Sequence, residues 1–341
     1  MKTRLLLLSS LSVALGGSAL LGPASACCGV GLDEVFFGSQ KNIIFWNPDT
    51  KVQHFVRKAD FYTESKDLGF IAPTPSVPEL AEANEKAFDL LPSWPDLYQS
   101  KSDGADTTSA AAAESVEVIQ KVDVAGYEAT TLKANDAGAL AAYMKANGYK
   151  TSPGIEKWTA YYIKKGWMLT AFKVKSEGGT ATTGLVRMTF KTDKPFNPYY
   201  VPKENQKGGA GLEVYFISNE PYGATIGEKG LFAPDQAEVA KLDRIKHAGI
   251  AAHLKIKLPL VQGLDTVTMF RDSQFPNDAP DDLYFQPIAQ LAKTNPSQMD
   301  AIKSVSTTVK DSSSTLSPFI GAGVAVLAGA GVAAFLLRKK S

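Results

Sequence analysis

Apolar and polar positions alternate along much of this chain, the period expected of strands that bury one face. Ile43 to Trp46 and Val52 to Val56 read as a hairpin joined by Asn47-Pro48-Asp49-Thr50-Lys51, whose Asn, Pro and Asp suit a turn. Leu68 to Ala72 predicts a short apolar strand, stopped by Pro73, Pro75 and Pro78. Val116 to Val124 and Tyr127 to Leu132 predict a second hairpin. Trp167 to Val174, Leu185 to Phe190 and Leu212 to Ile217 predict further strands. Ile250 to Leu260 alternates as well, with Ile250, Ala252, Leu254, Ile256 and Leu258 on one face, and Val267 to Phe270 reads as the last strand.

Helical spacing is confined to fewer stretches. In Glu79 to Leu91, Leu80, Ala83, Ala87 and Leu90 or Leu91 share a face, with Pro78 in the first turn and Pro92 at the stop. Asn135 and Asp136 offer an N-cap for a helix over Ala137 to Ala146, and Asn147-Gly148 offers its C-cap. Ile155 to Lys164 predicts another helix, and Gln236 to Lys246 a short one. The fold class expected is α+β, a predominantly antiparallel β-sheet ectodomain with three or four packed helices, plus one C-terminal transmembrane helix.

The two ends carry a different pattern. Pro318 to Leu337 is a run of 20 residues without a charge, followed by Arg338, Lys339 and Lys340. At about 1.5 Å per residue such a helix spans about 30 Å, the thickness of a bilayer core. Residues 318–337 are therefore expected to anchor the chain in a membrane, with the basic tail 338–341 in the cytoplasm. Lys2 and Arg4, the apolar run Leu5 to Leu21 and Ala24-Ser25-Ala26 predict a signal peptide over 1–26. Between them lie an extracytoplasmic domain, 27–303, and a Ser/Thr-rich stalk, 304–317. A Ser-, Asp-, Ala- and Thr-rich stretch at 100–114 offers a subdomain break. Ala325, Gly329 and Ala333 recur every four residues in the apolar run, a stripe through which two membrane helices approach closely.

Charge narrows the partners. Lys and Arg number 36 and Asp and Glu 35, so nothing favours nucleic acid. The chain has 2 cysteines, the adjacent Cys27 and Cys28, so the domain rests on its core rather than on disulfides. Three readings of that pair stay open: lipid on Cys27, a disulfide between the neighbours or to another chain, or an unpaired and structurally minor pair. No dinucleotide, phosphate-loop or nucleophile-elbow motif is present, so no cofactor is expected. His54 reads as a structural strand residue, and His247 and His253, six apart, do not make a metal site. Asp278, Asp281 and Asp282 lack the spacing of a calcium loop and read as a solvated turn. Phe196, Tyr199 and Tyr200, with Trp94 and Tyr98, read as cover for the ends of the sheet, with a sugar or peptide groove as the alternative.

Several short stretches carry a resemblance. They are Cys27-Cys28-Gly29, Asn42-Ile43-Ile44-Phe45, Leu68-Gly69-Phe70-Ile71-Ala72-Pro73-Thr74-Pro75, Lys145-Ala146-Asn147-Gly148-Tyr149, Trp167 to Val174 and Met188 to Pro195. Together they resemble the uncharacterised bacterial family DUF2330. The resemblance implies an exported or membrane-anchored protein and no known activity, so it assigns no catalytic residue. The chain departs from the expected pattern at Trp46-Asn47-Pro48 and in lacking cysteines downstream. It is expected in a bacterial cell membrane, single-pass, with its N-terminal domain outside. Three functions compete: a non-catalytic surface or binding protein, a hydrolase whose acidic residues meet only in the fold, and a thiol-disulfide protein using Cys27-Cys28. The first is favoured.

Overall fold

The turn at Asn47 sets the register of the central hairpin. The Asn47 side-chain oxygen accepts from the Asp49 and Thr50 amides at 3.0 and 3.1 Å, and Lys51 takes a left-handed conformation at φ 54°. The computed structural model describes residues 29–30, 36–62, 69–94, 116–149, 151–174, 184–206, 211–228, 230–294 and 309–310. The expected signal peptide, Cys27 and Cys28, the break at 100–114, the apolar run with Ala325, Gly329 and Ala333, and the basic tail lie outside these residues.

In chain order the first elements are β1 (Gly29–Val30), β2 (Phe36–Asn47), β3 (Val52–Tyr62), β4 (Gly69–Thr74), β5 (Glu79–Ala83) and α1 (Lys86–Asp89). A hairpin of β6 (Val116–Val124) and β7 (Tyr127–Ala134) follows, then α2 (Ala137–Ala146), α3 (Pro153–Lys164), β8 (Met168–Val174) and β9 (Leu185–Lys191). The rest comprises β10 (Phe196–Asn197), β11 (Leu212–Ser218), β12 (Tyr222–Ile226), β13 (Gly230–Leu231) and β14 (Gln236–Lys241). It closes with α4 (Arg244–His253), α5 (Leu258–Val261), β15 (Thr266–Asp272), β16 (Leu283–Pro287), α6 (Ile288–Thr294) and β17 (Val309–Lys310).

The strands form an eight-stranded sheet in the order β17-β14-β15-β11-β2-β3-β9-β5, a five-stranded sheet β1-β4-β8-β7-β6, and a four-stranded sheet β10-β16-β12-β13. Pairing is antiparallel except at β2–β11 and β14–β17. Alternation along β2 divides its side chains between two cores. Ile44 and Trp46 join Phe70, Phe172, Phe216 and Phe285 between the large sheet and the two smaller ones. Ile43 and Phe45 face the other way, against Ile250 and Ala251 of α4 and Leu254 at its C-cap. On the far side of the five-stranded sheet, Ile71, Leu132 and Leu169 pack on Leu140 and Met144 of α2 and on Trp158 and Tyr162 of α3. The layers therefore run helices, small sheets, large sheet, helices.

The α+β class holds, with the two hairpins, the strands at 185 and 212 and the α2 and α3 helices where the pattern puts them. Six α-helices are present among the described residues, more than the three or four expected. Three assignments are corrected. Glu79 to Leu91 is not one helix: Glu79–Ala83 pairs with β9 as an edge strand, and only Lys86–Asp89 is helical. Gln236–Lys241 is a strand paired with β15. Ile250 to Leu260 is not a strand: it begins inside α4, where the buried Ile250 and Ala251, with Leu254 at the C-cap, follow the helical period. Strand β4 also runs past its expected stop through Pro73. Strand β1 covers only Gly69 and Phe70, so Pro73 stands where β4 is an edge and its missing N–H is tolerated. Within the expected stalk, Val309 and Lys310 pair with Val239 and Ala240. Among the described residues no helix is long and apolar enough to cross a membrane.

Candidate functional site

Among the polar side chains that the large sheet carries, those of the buried Gln40 and Asn42 and the half-buried Arg57 face one cavity. Alternation puts Gln40 and Asn42 on the same face of β2 as Ile44, and Asn42 stands directly opposite Arg57 of β3. These three, with Phe55, Ile71, Ala72, Pro73, Trp158, Pro198 and Phe275, line a cavity open to the centre of a water-sized sphere over about 20 Å³. That is room for one or two waters. Asn42 Nδ2 donates to Asn197 Oδ1 at 2.7 Å, while Asn42 Oδ1 and Gln40 Nε2 are buried with no hydrogen-bond partner among the described residues. Buried amides of this kind call for a partner molecule, because a lost hydrogen bond costs about 1–3 kcal/mol.

Pro198 lines the cavity, and the segment from Phe196 to Tyr200 that carries it is held from both sides. Gln53 donates to the Phe196 carbonyl at 2.8 Å and accepts from its amide at 3.0 Å. Trp158 Nε1 donates to the Tyr200 carbonyl at 3.1 Å. Asp282, fully buried, accepts from the Tyr199 and Tyr200 amides at 3.1 and 3.3 Å, from the Tyr162 hydroxyl at 2.7 Å and from Lys165 Nζ at 3.1 Å.

Lys165 also donates to the Tyr284 hydroxyl at 2.8 Å and lies 4.0 Å from the centre of the Tyr161 ring. Tyr161 donates to Asp281 and stacks on Tyr200 at 4.0 Å between centroids. Burial pushes the Asp282 carboxyl up from its ordinary value, against the pull of Lys165 and Tyr162. Burial works against the charge on Lys165, but Asp282 and Tyr284 outweigh it and hold the ammonium above the usual lysine value. Burial, and after it the nearby Asp282 charge, raise Tyr161 well above the ordinary phenol value. The outcome is one ammonium and two carboxyl groups ringed by phenols.

The sequence placed the Asp278, Asp281 and Asp282 turn in solvent. Asp281 is part-exposed, but Asp282 is the buried centre of this cluster. Among the described residues no group of three His, Cys, Asp or Glu is arranged to hold a metal ion. His54 is buried against Thr189, with 2.8 Å from Nδ1 to Oγ1, and His247 and His253 lie on α4 rather than on a strand. Phe196, Tyr199 and Trp94 are buried in the cores, Tyr200 is half-buried and stacks on Tyr161, and Tyr98 lies outside the described residues. Cys27 and Cys28 are also outside them, and Gly29 and Val30, which follow, pair with Phe70 and Gly69. Gln40, Arg57 and Lys165 were not singled out by the sequence, and Asp282 was read there only as part of a solvated turn. The Tyr161-Tyr162 pair followed by Lys165 at helical spacing was the one local signal for the cluster.

The family DUF2330, described as an uncharacterized protein conserved in bacteria, matches residues 22–223, more than half of the chain. The chain belongs to DUF2330. The DUF2330 match contains every cavity residue except Phe275 and ends within β12, before Asp281, Asp282 and Tyr284. Asn42 and the Ala72-Pro73 step, which line the cavity, come from two of the stretches that carry the DUF2330 resemblance. No curated protein matches this DUF2330 chain. Among solved structures, the crystal structure of baculovirus P35 is similar over 60% of this chain and 74% of that one, at 11% identity and a TM-score of 0.33. That likeness is too loose to carry an argument.

Proposed function

We propose that the protein is a membrane-anchored extracytoplasmic protein that binds rather than catalyses. One observation carries the reading. The ionised groups of the Lys165 cluster are engaged by one another, while buried amides, Gln40 Nε2 and Asn42 Oδ1, are left to face the cavity. Amides orient and hold a small polar molecule; they do not supply a proton at adjusted strength. The apolar run 318–337 with its basic tail, and the Ala24-Ser25-Ala26 signal, support the anchored and exported topology. The same run is proposed to pair between copies through Ala325, Gly329 and Ala333.

Two measurements test this. Protease added outside intact cells is expected to digest the domain, and full protection would overturn the topology. Turnover of ester, glycoside or peptide substrates, abolished by Asp282→Asn, would favour the hydrolase instead.

A further inference from the structure

The pairing directions fix which parts of the molecule share an end. Strand β2 runs parallel to β11, β11 and β14 are both antiparallel to β15, and β14 runs parallel to β17. Asn47, Ser218, Lys241 and Lys310 therefore close at one end of the large sheet. Strand β9 is antiparallel to β3, and β3 to β2, so Lys191 closes there too. Ser76 donates to the Lys191 carbonyl at 2.8 Å and brings the loop carrying Val77 to this end. Asn47 Nδ2 donates to the Leu260 carbonyl at 3.1 Å and brings α5. Helix α4, capped by Asp243, starts there, with Ile245 in its first turn.

This end collects exposed apolar side chains. Among the described residues the exposed large hydrophobics are Val77 at 44%, Ile245 at 85%, Leu258 at 48% and Leu260 at 49%, together with Val118 and Val122 of the edge strand β6. Four of these six lie at the end just defined. It is also the end from which the chain departs. Beyond Lys310, residues 311–317 lead to Pro318, where the apolar run begins. At about 3.4 Å per extended residue those seven positions reach at most about 24 Å.

We infer that this end of the large sheet rests on the bilayer surface, with Ile245, Leu258 and Leu260 entering its interfacial layer. The inference rests on the anchor proposed above. The short tether keeps the end near the membrane, and apolar side chains there leave water for lipid at about 25 cal/mol per Å². Charge does not drive the contact. Arg244, Lys246 and Lys257 are offset by Asp49, Glu220 and Asp243, while Lys241 pairs with Asp265 at 2.6 Å and Lys51 with Asp193 at 2.7 Å. Neutral phosphatidylcholine therefore suffices, and anionic lipid adds little.

The full chain carrying Cys27→Ser and Cys28→Ser, with Ile245→Cys labelled by an environment-sensitive fluorophore, is reconstituted in phosphatidylcholine vesicles. A fraction of the lipid bears a spin label high on its acyl chain. Leu260→Cys is a second probe on the same end and Val118→Cys the comparison on β6. Flotation with the vesicles reports the anchor separately. The expected result is a blue-shifted label at 245 and 260, quenched severalfold more than at 118, and unchanged by adding phosphatidylglycerol. Labels at 245 and 260 quenched no more than at 118 in a floating chain overturn the inference and leave the anchor standing. A chain that does not float overturns both. Labels shielded from water but not quenched by the spin-labelled lipid, with cross-links between copies, identify a protein contact and also overturn it.

Discussion

Arg187 on β9 donates from Nη1 to the Leu254 carbonyl at 2.9 Å, at the end of α4. The same nitrogen reaches the Lys255 carbonyl, and Nη2 bonds Glu79 of the edge strand β5 at 2.9 Å. The last carbonyls of a helix have no partner within it, so a buried guanidinium satisfies them from across the layer. Burial lowers the Arg187 pKa from its ordinary value, and Glu79 works against that shift.

Arg187→Met is therefore expected to lower stability by about 2–3 kcal/mol, the range for hydrogen bonds to a charged group and the acceptors they leave unpaired. Urea denaturation reads the loss. Amide exchange in residues 250–256 is expected to rise more than in α2, because Arg187 caps α4 and touches no part of α2. Uniform exchange across both helices would remove the capping role.

The His54 ring is buried, and burial followed by the nearby Arg187 charge brings its pKa from 6.5 down to about 4. The unfolded chain takes up this proton at a higher pH than the folded one. The contribution is thus complete above pH 6.5 and is lost as pH falls from 6.5 toward about 4, by on the order of 3 kcal/mol. Denaturation midpoints measured across that window are expected to fall, and His54→Gln to flatten the fall. An unchanged slope in the variant would place the acid sensitivity elsewhere.

Lys165→Met leaves the Asp282 carboxylate buried without its counter-ion and is expected to cost about 3 kcal/mol or more. Asp282→Asn in the same chain is expected to restore part of that loss, since the buried charge is then gone. A double-mutant cycle in urea measures the coupling. Additive losses would show that the 3.1 Å contact contributes nothing as a pair.

Asn42→Leu removes the donor to Asn197 Oδ1 and is expected to cost about 1–3 kcal/mol, because Asn197 is fully buried. Asn42→Asp keeps the size but brings a second acceptor to that oxygen, and is expected to lose as much. Thermal melts of the two variants and the parent chain decide the matter. A leucine variant as stable as the parent would mean that Asn197 finds water instead.

The hairpins and the two capped helices were legible because their signals are local. Asn47 bonds its own turn, and Asp136 accepts from the Ala139 amide as the capping pattern predicts. The misread stretches were settled by distant partners. Leu80, Ala83 and Ala87 have helical spacing, yet residues 79–83 complete a sheet edge that β9 would otherwise leave open. Gln236-Ala237-Glu238 suits a helix by propensity, and pairing with β15 overrides it. Ile250 to Leu258 fits period two as well as period 3.6. The exposed Ala252 and Leu258 show which period the large sheet selects. The candidate site was hidden for the same reason. Asn42, Arg57 and Trp158 meet only when β2, β3 and α3 pack, and Asp282 reaches Lys165 across 117 positions.

The parallel pair β2–β11 joins two half-sheets, one from the early part of the chain and one from the late part. This imposes an order in time. A chain emerging from its N-terminus can zip β2 to β3 at once, but the other edge of β2 waits for β11, and β11 waits for β15. Until then Ile44 and Trp46 stand on a strand with an open edge, the kind of surface that recruits other chains. Long-range pairing of this kind is slow. The outer edge of β2 is thus open in any partly made or partly folded chain that lacks β11, and a chaperone that holds such a chain would act there.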